Sequence, residues 1–516
     1  MAMNLFQLTK ISDNENPAGG FCIVPKHWSL HLRCFEIMVM HRLLFHFTII
    51  TFLVGSCPVL FAQPTSDELT GAWDSDFGWV TLDTRKSGVV FGHWVQSATK
   101  KGYITGGTFA PRTRTLTFFL TQPWNGEKGS ATFTLSADGS KLKGVWKHSS
   151  GSGKWQMTRV RGTTLDERID SILMNAGIKA NQPGMAVAVV QDGKTVVERC
   201  LGTADVASGR PLTPTTVFEL ASVSKIITAQ AVMIAHDRGL LNVGSDVRKY
   251  VPELPVYDSS RPITIKHLLD HSSGLPNYLA FDYPQGADKR FVGLEDYAPA
   301  FAAQKAKFPA RFAPGAQYEY SNVNYMLLAL TVQRVAKKSF GTFLKDEVFK
   351  PLGMTTAFTY EHPDAVPLDP KLGYAGAVAY YADKGGYKPN RTMPPAGNEF
   401  VLTCGDGYLF ASLRDLVKWD AGWRKGGLVR PDTLRLASVV MTTRDGQTAS
   451  HGYAVDGQGR LESLSKGGSN GGTRTYYTYD AGTDRTIITL CNRGDMDAAV
   501  VDSLERLFTA RQYKGK

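Results

Sequence analysis

The sequence predicts an α+β protein: a small all-β domain, then a larger domain of antiparallel strands and helices. Three observations point there. Between residues 66 and 161, short runs alternate polar and apolar side chains, with glycine turns between them. Beyond residue 164, amphipathic helices stand at both ends of the remaining chain, with strands between them. One stretch, Ile226 to Ala235, carries no charge, as expected of a helix buried on every side. At 516 residues there is room for two or three domains and a large core. With 43% hydrophobic and 20% charged residues, the composition is that of a globular chain and excludes a disordered one.

In chain order, residues 1–39 lack periodicity and mix Pro, Gly and Asn; they read as an extension, or as sequence upstream of a true start at Met38 or Met40. Residues 40–62 read as a signal peptide. His41-Arg42 precedes the apolar run Leu43 to Val54, no Asp, Glu, Lys or Arg occurs from Leu43 to Ser66, and Phe61-Ala62-Gln63 offers a cleavage point after Ala62. The run is short for a membrane span of about 20 residues. Lipid attachment at Cys57 is disfavoured by Pro58 and the apolar residues after it. The expectation is export, periplasmic or secreted. Cleavage would leave Cys200, Cys404 and Cys491, an odd number with no disulfide framework. No Cys-x-x-Cys pair exists, so no metal site is expected.

The β-domain, residues 66–161, contains the runs Trp79 to Leu82, Thr115 to Leu120 and Ala131 to Leu135, with Asp138-Gly139 as a tight turn. A small antiparallel barrel or sandwich follows. It holds six of the nine tryptophans (Trp73, Trp79, Trp94, Trp124, Trp146 and Trp155) and thirteen Lys and Arg against seven Asp and Glu. Aromatics with positive charge suit an envelope glycan such as peptidoglycan; the plainer reading is a tryptophan-packed core under a solvated surface. The chain's net charge of +11 favours anionic surroundings, and no nucleic-acid recognition motif accompanies it.

The second domain spans residues 165–511. Leu165 to Ala176 reads as a helix with Ile169, Leu173 and Met174 on one face, and Gly184 to Glu198 as a hairpin around Asp192-Gly193. Tyr476 to Tyr479 and Thr486 to Leu490 are two further strands, and Met496, Val500, Leu504, Leu507 and Phe508 mark a closing helix. The Pro-, Gly- and Tyr-rich stretch from Pro276 to Gly397 reads as a helical subdomain with loops that shape a pocket.

Chemistry concentrates at the start of the uncharged helix. Ser222 and Lys225 are three apart, so on one helical turn their side chains can meet. Burial lowers the pKa of a lysine toward that of a usable base, and a serine hydroxyl needs such a base to become a nucleophile. The free N–H groups of a helix start can hold the anion that develops. Ser224 points to another face of the helix. His267 and His271 have the spacing of a zinc pair, but Leu268 stands where a metalloprotease needs glutamate, so they read as structural.

A bare Ser-x-x-Lys is a weak signal. Here it is followed by Tyr320-Ser321-Asn322 and then by Lys466-Gly467-Gly468-Ser469. Ile265 to Pro276, Pro351-Leu352-Gly353-Met354 and Gly407 to Ser412 accompany these motifs. Together they resemble the serine β-lactamase and penicillin-binding-protein superfamily, nearest its class C-like branch of D-alanyl-D-alanine carboxypeptidases, esterases and β-lactamases. The resemblance covers roughly Leu165 to Arg511. It implies a two-layer α/β sandwich with a helical subdomain, and an exported serine hydrolase working through an acyl-enzyme without a cofactor. Its substrate would be a small ester, amide or D-amino-acid peptide. Ser222 would be the nucleophile, Lys225 and Tyr320 the proton movers, and Asn322 a partner of the substrate amide and of the lysine. Lys466 would supply positive potential, and the Ser469 N–H would join that of Ser222 as oxyanion hole.

Read as residues, a phenol beside Lys225 is expected to be partly ionised, and Gly468 to let a substrate backbone approach. Gly467 stands where the family often carries a hydroxyl, which argues for weak β-lactam turnover. Two alternatives stay open: a carboxypeptidase or class C-like β-lactamase, and a sensor of envelope fragments that does not turn over.

Overall fold

The computed structural model describes residues 68–85, 88–97, 99–277, 293–303, 309–361, 368–369, 373–374, 376–390, 404–424, 428–430, 433, 441–442, 448–449, 452–455 and 461–512. The expected extension and signal peptide lie outside the described residues, as do parts of the stretch from Pro276 to Gly397.

The β-domain is a closed barrel of eight antiparallel strands in sequence order. They are β1 (Gly71–Ser75), β2 (Gly78–Thr84), β3 (Val89–Ser97), β4 (Lys100–Ala110), β5 (Thr115–Gln122), β6 (Glu127–Leu135), β7 (Lys141–His148) and β8 (Gly151–Val160). Closure comes from β8 pairing back onto β1, with Ala72 opposite Val160 and Ser75 opposite Met157. A barrel leaves no edge to pair with another chain. Alternation sends Trp73, Val80, Leu82, Trp94, Ile104, Leu116, Phe118, Phe133 and Trp155 into one core. Four of the six tryptophans are buried, and Trp124 and Trp146 are half-buried.

The second domain is built on a six-stranded sheet of antiparallel pairs. In spatial order its strands are β10 (Lys194–Leu201), β9 (Met185–Gln191), β14 (Arg485–Cys491), β13 (Thr473–Asp480), β12 (Leu461–Asn470) and β11 (Gly452–Val455). The two chain ends of the domain meet here, because β9 pairs with β14, Ile488 opposite Ala188. Helix α1 (Leu165–Asn175) starts with a reciprocal cap. The Thr164 hydroxyl accepts from the Glu167 N–H, and the Glu167 carboxylate accepts from the Thr164 N–H. The helix buries Ile169, Ile172 and Leu173 against the sheet; Met174, expected on that face, is 57% exposed. It lies one residue past Leu173, about 100° further around the helix. Helix α5 (Ala499–Gln512) packs beside α1 through Val500, Leu504, Leu507 and Phe508.

The opposite sheet face, with Ala186, Ala188, Leu464, Tyr477 and Leu490, packs on α2 (Ser224–Asp237), α3 (Asn322–Ala336) and α4 (Leu413–Arg424). All of α2 from Ser224 to Ala235 is buried, as the lack of charge from Ile226 onward requires. Gly239, at φ +71°, follows its last turn.

The barrel docks on α5. Ala72, Trp79 and Val160 share a core with Val500, Leu504 and Phe508, and Trp79 thus points out of the barrel. Beside them Asp74 accepts from Ser503 Oγ and pairs with Arg506, Nη2 to Oδ2 3.0 Å.

Candidate active site

The nucleophile turn is a departure from helix. Strand residues Val217–Glu219 run into a 3₁₀ turn, Ala221–Val223, and α2 begins only at Ser224. Ala221 takes a left-handed φ of +47°, a conformation that is costly for a residue with a Cβ. Glu219 holds it there. Its carboxyl oxygens accept from the Ala221 N–H at 2.8 Å, from the Tyr408 N–H at 3.1 Å and from Thr473 Oγ1 at 3.3 Å. Burial raises the Glu219 pKa to about 7, against those hydrogen bonds.

This turn brings three predicted residues together. Ser222 Oγ lies 2.9 Å from Tyr320 Oη and 3.1 Å from Lys225 Nζ. Lys225 Nζ also donates to the Asp406 carbonyl at 2.5 Å. Lys225 is 1% exposed, and burial lowers its pKa to about 8 although Asp406 and Glu219 pull it up. Near neutral pH it can therefore yield the free amine that a base must be.

Tyr320 enters just before α3, and the expected partial ionisation is not what its surroundings favour. Burial raises the phenol pKa well above its ordinary value, and the hydrogen bond with Ser222 offsets that only in part. The two ammonium groups sit over the ring, Lys225 Nζ 5.2 Å and Lys466 Nζ 4.6 Å from its centre. A cation there interacts with the ring's π face. Tyr320 is thus a neutral hydroxyl in the resting site.

His271 fixes that ring: the two ring centres are 4.5 Å apart, and His271 Nδ1 accepts from the Ser321 N–H at 3.2 Å. His267 Nδ1 caps the short helix Ile265–Leu269 by accepting from the Thr264 N–H. Both histidines are spent on structure. Asn322 opens α3, and its amide reaches Asn277 Oδ1 at 3.4 Å; among the described residues no hydrogen bond joins it to Lys225. Ser224 Oγ is buried and has no hydrogen-bond partner among the described residues.

The third motif lies on β12. Lys466 is 6% exposed, and its pKa is lowered to about 7, first by burial and then by the charge of Lys225. Gly468 makes room for the chain itself. An added Cβ would stand 2.7 Å from the Leu220 carbonyl oxygen and 2.9 Å from the Ser222 nitrogen. The expected room for a substrate backbone is filled by the nucleophile turn, which presses directly on the strand. Strand alternation puts Lys466 and Gly468 on the Ser222 face and Gly467 and Ser469 on the other. A Cβ on Gly467 would touch the Tyr476 ring at 3.0 Å, and the Ser469 hydroxyl contacts Arg474. The hydroxyl that Gly467 lacks would therefore point away from Ser222, and the argument against β-lactams drawn from it loses its basis. β11 pairs with β12 only as far as Ser465. Beyond that residue, no strand pairs with this edge of β12 among the described residues.

Sequence reasoning missed Glu219 and Asp406. Glu219 was visible as the lone carboxylate between Phe218 and Ala235; the Asp406 contribution is a backbone carbonyl, which no side-chain pattern can signal.

Against known proteins, the signature of the family described as Beta-lactamase matches residues 167–510. The chain belongs to the beta-lactamase family. The matched segment is a serine hydrolase domain of that family, and the barrel precedes it. A D-aminopeptidase of Gluconobacter oxydans is 31% identical over 336 residues, 64% of this chain and 59% of that protein. The chain thus spans less than two thirds of that relative. In fold, a penicillin-binding protein from Bacillus halodurans matches 66% of this chain and 99% of its own, with a TM-score of 0.54 and 22% identity. A D-amino acid amidase from Ochrobactrum anthropi matches 67% and 98%, with a TM-score of 0.51 and 20% identity.

Proposed function

We propose that the protein is an exported hydrolase that opens amides through an acyl-enzyme on Ser222, with D-amino-acid amides or short D-peptides as its substrates. The observation that carries the mechanism is the position of Ser222 Oγ, within 3.1 Å of both an amine of lowered pKa and a neutral phenol. Lys225, as free amine, takes the hydroxyl proton while Oγ attacks the carbonyl carbon. Tyr320, already hydrogen-bonded to Oγ, relays a proton to the leaving nitrogen, so an amine departs uncharged. The Ser222 N–H and the open β12 edge near Ser469 receive the tetrahedral oxygen. Water then repeats the sequence and frees the acid. Lys466, its pKa lowered by burial and by Lys225, adds positive potential beside Tyr320 while it holds its proton.

The D-amide class rests on the D-aminopeptidase relative, and export rests on the apolar segment at residues 40–62. Lys466 equally suits a substrate carboxylate, which keeps a carboxypeptidase or β-lactamase reading in the comparison. The test is kcat/KM for D- and L-alanine p-nitroanilide, a short nitrophenyl ester, a D-Ala-D-Ala peptide and a cephalosporin. A D-over-L preference of tenfold or more, with the D-anilide above the cephalosporin, supports the proposal; a preference for the cephalosporin replaces it. Mass spectrometry of the processed N-terminus tests export, with cleavage after Ala62 expected.

A further inference from the structure

The barrel holds a cavity of its own. One of its ends, formed by the β1–β2, β3–β4, β5–β6 and β7–β8 turns, opens into a cavity of about 300 Å³. That is about the liquid volume of ten waters, and it suits one small molecule, as closed eight-stranded barrels can hold. Trp155, 2% exposed, lies beneath it, with edge-to-face contacts to Phe77 at 5.7 Å and Trp94 at 5.8 Å. Trp124 and Trp146 complete the aromatic walls.

The strands are built to clear this space. Trp94, His148 and Trp146 each stand opposite a glycine, Gly102, Gly129 and Gly153. A Cβ on those glycines would lie 2.2 Å from Trp94 Cζ2, 2.2 Å from His148 Cδ2 and 3.0 Å from Trp146 Nε1. Each glycine thus leaves room for the ring across from it.

The polar atoms say what fits. Trp146 Nε1, Trp155 Nε1 and His148 Nε2 are buried, and none has a hydrogen-bond partner among the described residues. An indole N–H can only donate. Lys100 stands exposed among the lining residues, and no Asp or Glu lines the cavity. Unpartnered indole donors within the aromatic walls, a cation among the lining residues and the lack of a lining carboxylate define the complement of an apolar anion. We infer that the barrel mouth binds a small apolar carboxylate, an aliphatic or aryl acid, with its acid group at the indole N–H groups and Lys100. A glycan chain fits less well, because the cavity is enclosed by rings and takes a single small body.

The full chain can be titrated with octanoate, octanamide and chitotetraose, followed by tryptophan fluorescence and calorimetry. Octanoate should bind 1:1 to both the wild type and Ser222→Ala, which separates this site from the hydrolytic one. Trp155→Phe keeps a smaller aromatic ring and loses the donor, so octanoate affinity should fall about tenfold or more. Lys100→Gln changes an exposed side chain, is not expected to disturb folding, and should weaken octanoate several-fold while leaving octanamide unchanged. The inference is overturned by absence of saturable octanoate binding, by equal affinity in wild type and both barrel variants, or by chitotetraose binding where octanoate does not.

Discussion

Lys225 and Lys466 crowd one phenol ring, and two buried ammonium groups so close cannot both stay charged at low cost. Their protons are released near pH 7 and 8, as properties of the pair. Because catalysis needs the Lys225 amine free, kcat/KM should rise through this window and level off about one unit above the Lys225 pKa of about 8; a flat profile from pH 6 to 9 contradicts the assignment. The same shift carries a sign for stability. An unfolded lysine holds its proton to about pH 10.5 and the folded pair does not, so the pair's contribution to stability increases with pH from about 7 to 10.5. Lys466→Met should lose part of that slope in thermal melts. Ser222 and Lys225 were legible because spacing alone brings them onto one turn. The state of Tyr320 was not, since burial depends on what packs around the ring and sequence shows only the neighbouring charges.

At the scale of elements, the site depends on the turn between the Val217–Glu219 strand and α2. Glu219→Ala removes the hydrogen bond to the Ala221 N–H and the two that anchor the carboxyl to Tyr408 and Thr473, and a displaced nucleophile costs up to about 100-fold. We expect kcat to fall about 10- to 100-fold with KM little changed, in a protein whose circular dichroism is unaltered. Gly468→Ala drives a methyl group into the Leu220–Ser222 backbone and should reduce both activity and melting temperature; wild-type kcat in that variant would show that the strand does not press on the turn. Periodicity revealed α1, α5 and the barrel strands because each buries a regular stripe, and the uncharged run from Ile226 revealed α2. It could not show the 3₁₀ start of α2, which tertiary hydrogen bonds impose, nor which face of β12 each glycine occupies.

For the whole molecule, the barrel is bound to the hydrolase domain through α5, by Trp79 and the Asp74–Arg506 pair. Every residue placed in the chemistry lies outside that contact. Asp74→Ala should therefore lower Tm by about 2–5 °C, since it strands a half-buried guanidinium, and leave kcat within twofold. A large loss of kcat would instead make the barrel part of the active site. The barrel was legible as a class from its alternation and turns; its docking was not, because nothing in β1 or β2 distinguishes an outward Trp79 from an inward Trp73. The central claim is turnover through an ester on Ser222, and intact-protein mass spectrometry of the chain during hydrolysis of D-alanine p-nitroanilide tests it most directly. The account predicts one acyl adduct per chain, mapped to Ser222, with a burst of nitroaniline followed by steady release, and a loss of about 10⁴-fold or more in Ser222→Ala. Steady hydrolysis with no adduct and an undiminished rate in Ser222→Ala contradicts it; an adduct that never clears makes the protein a sensor instead of an enzyme.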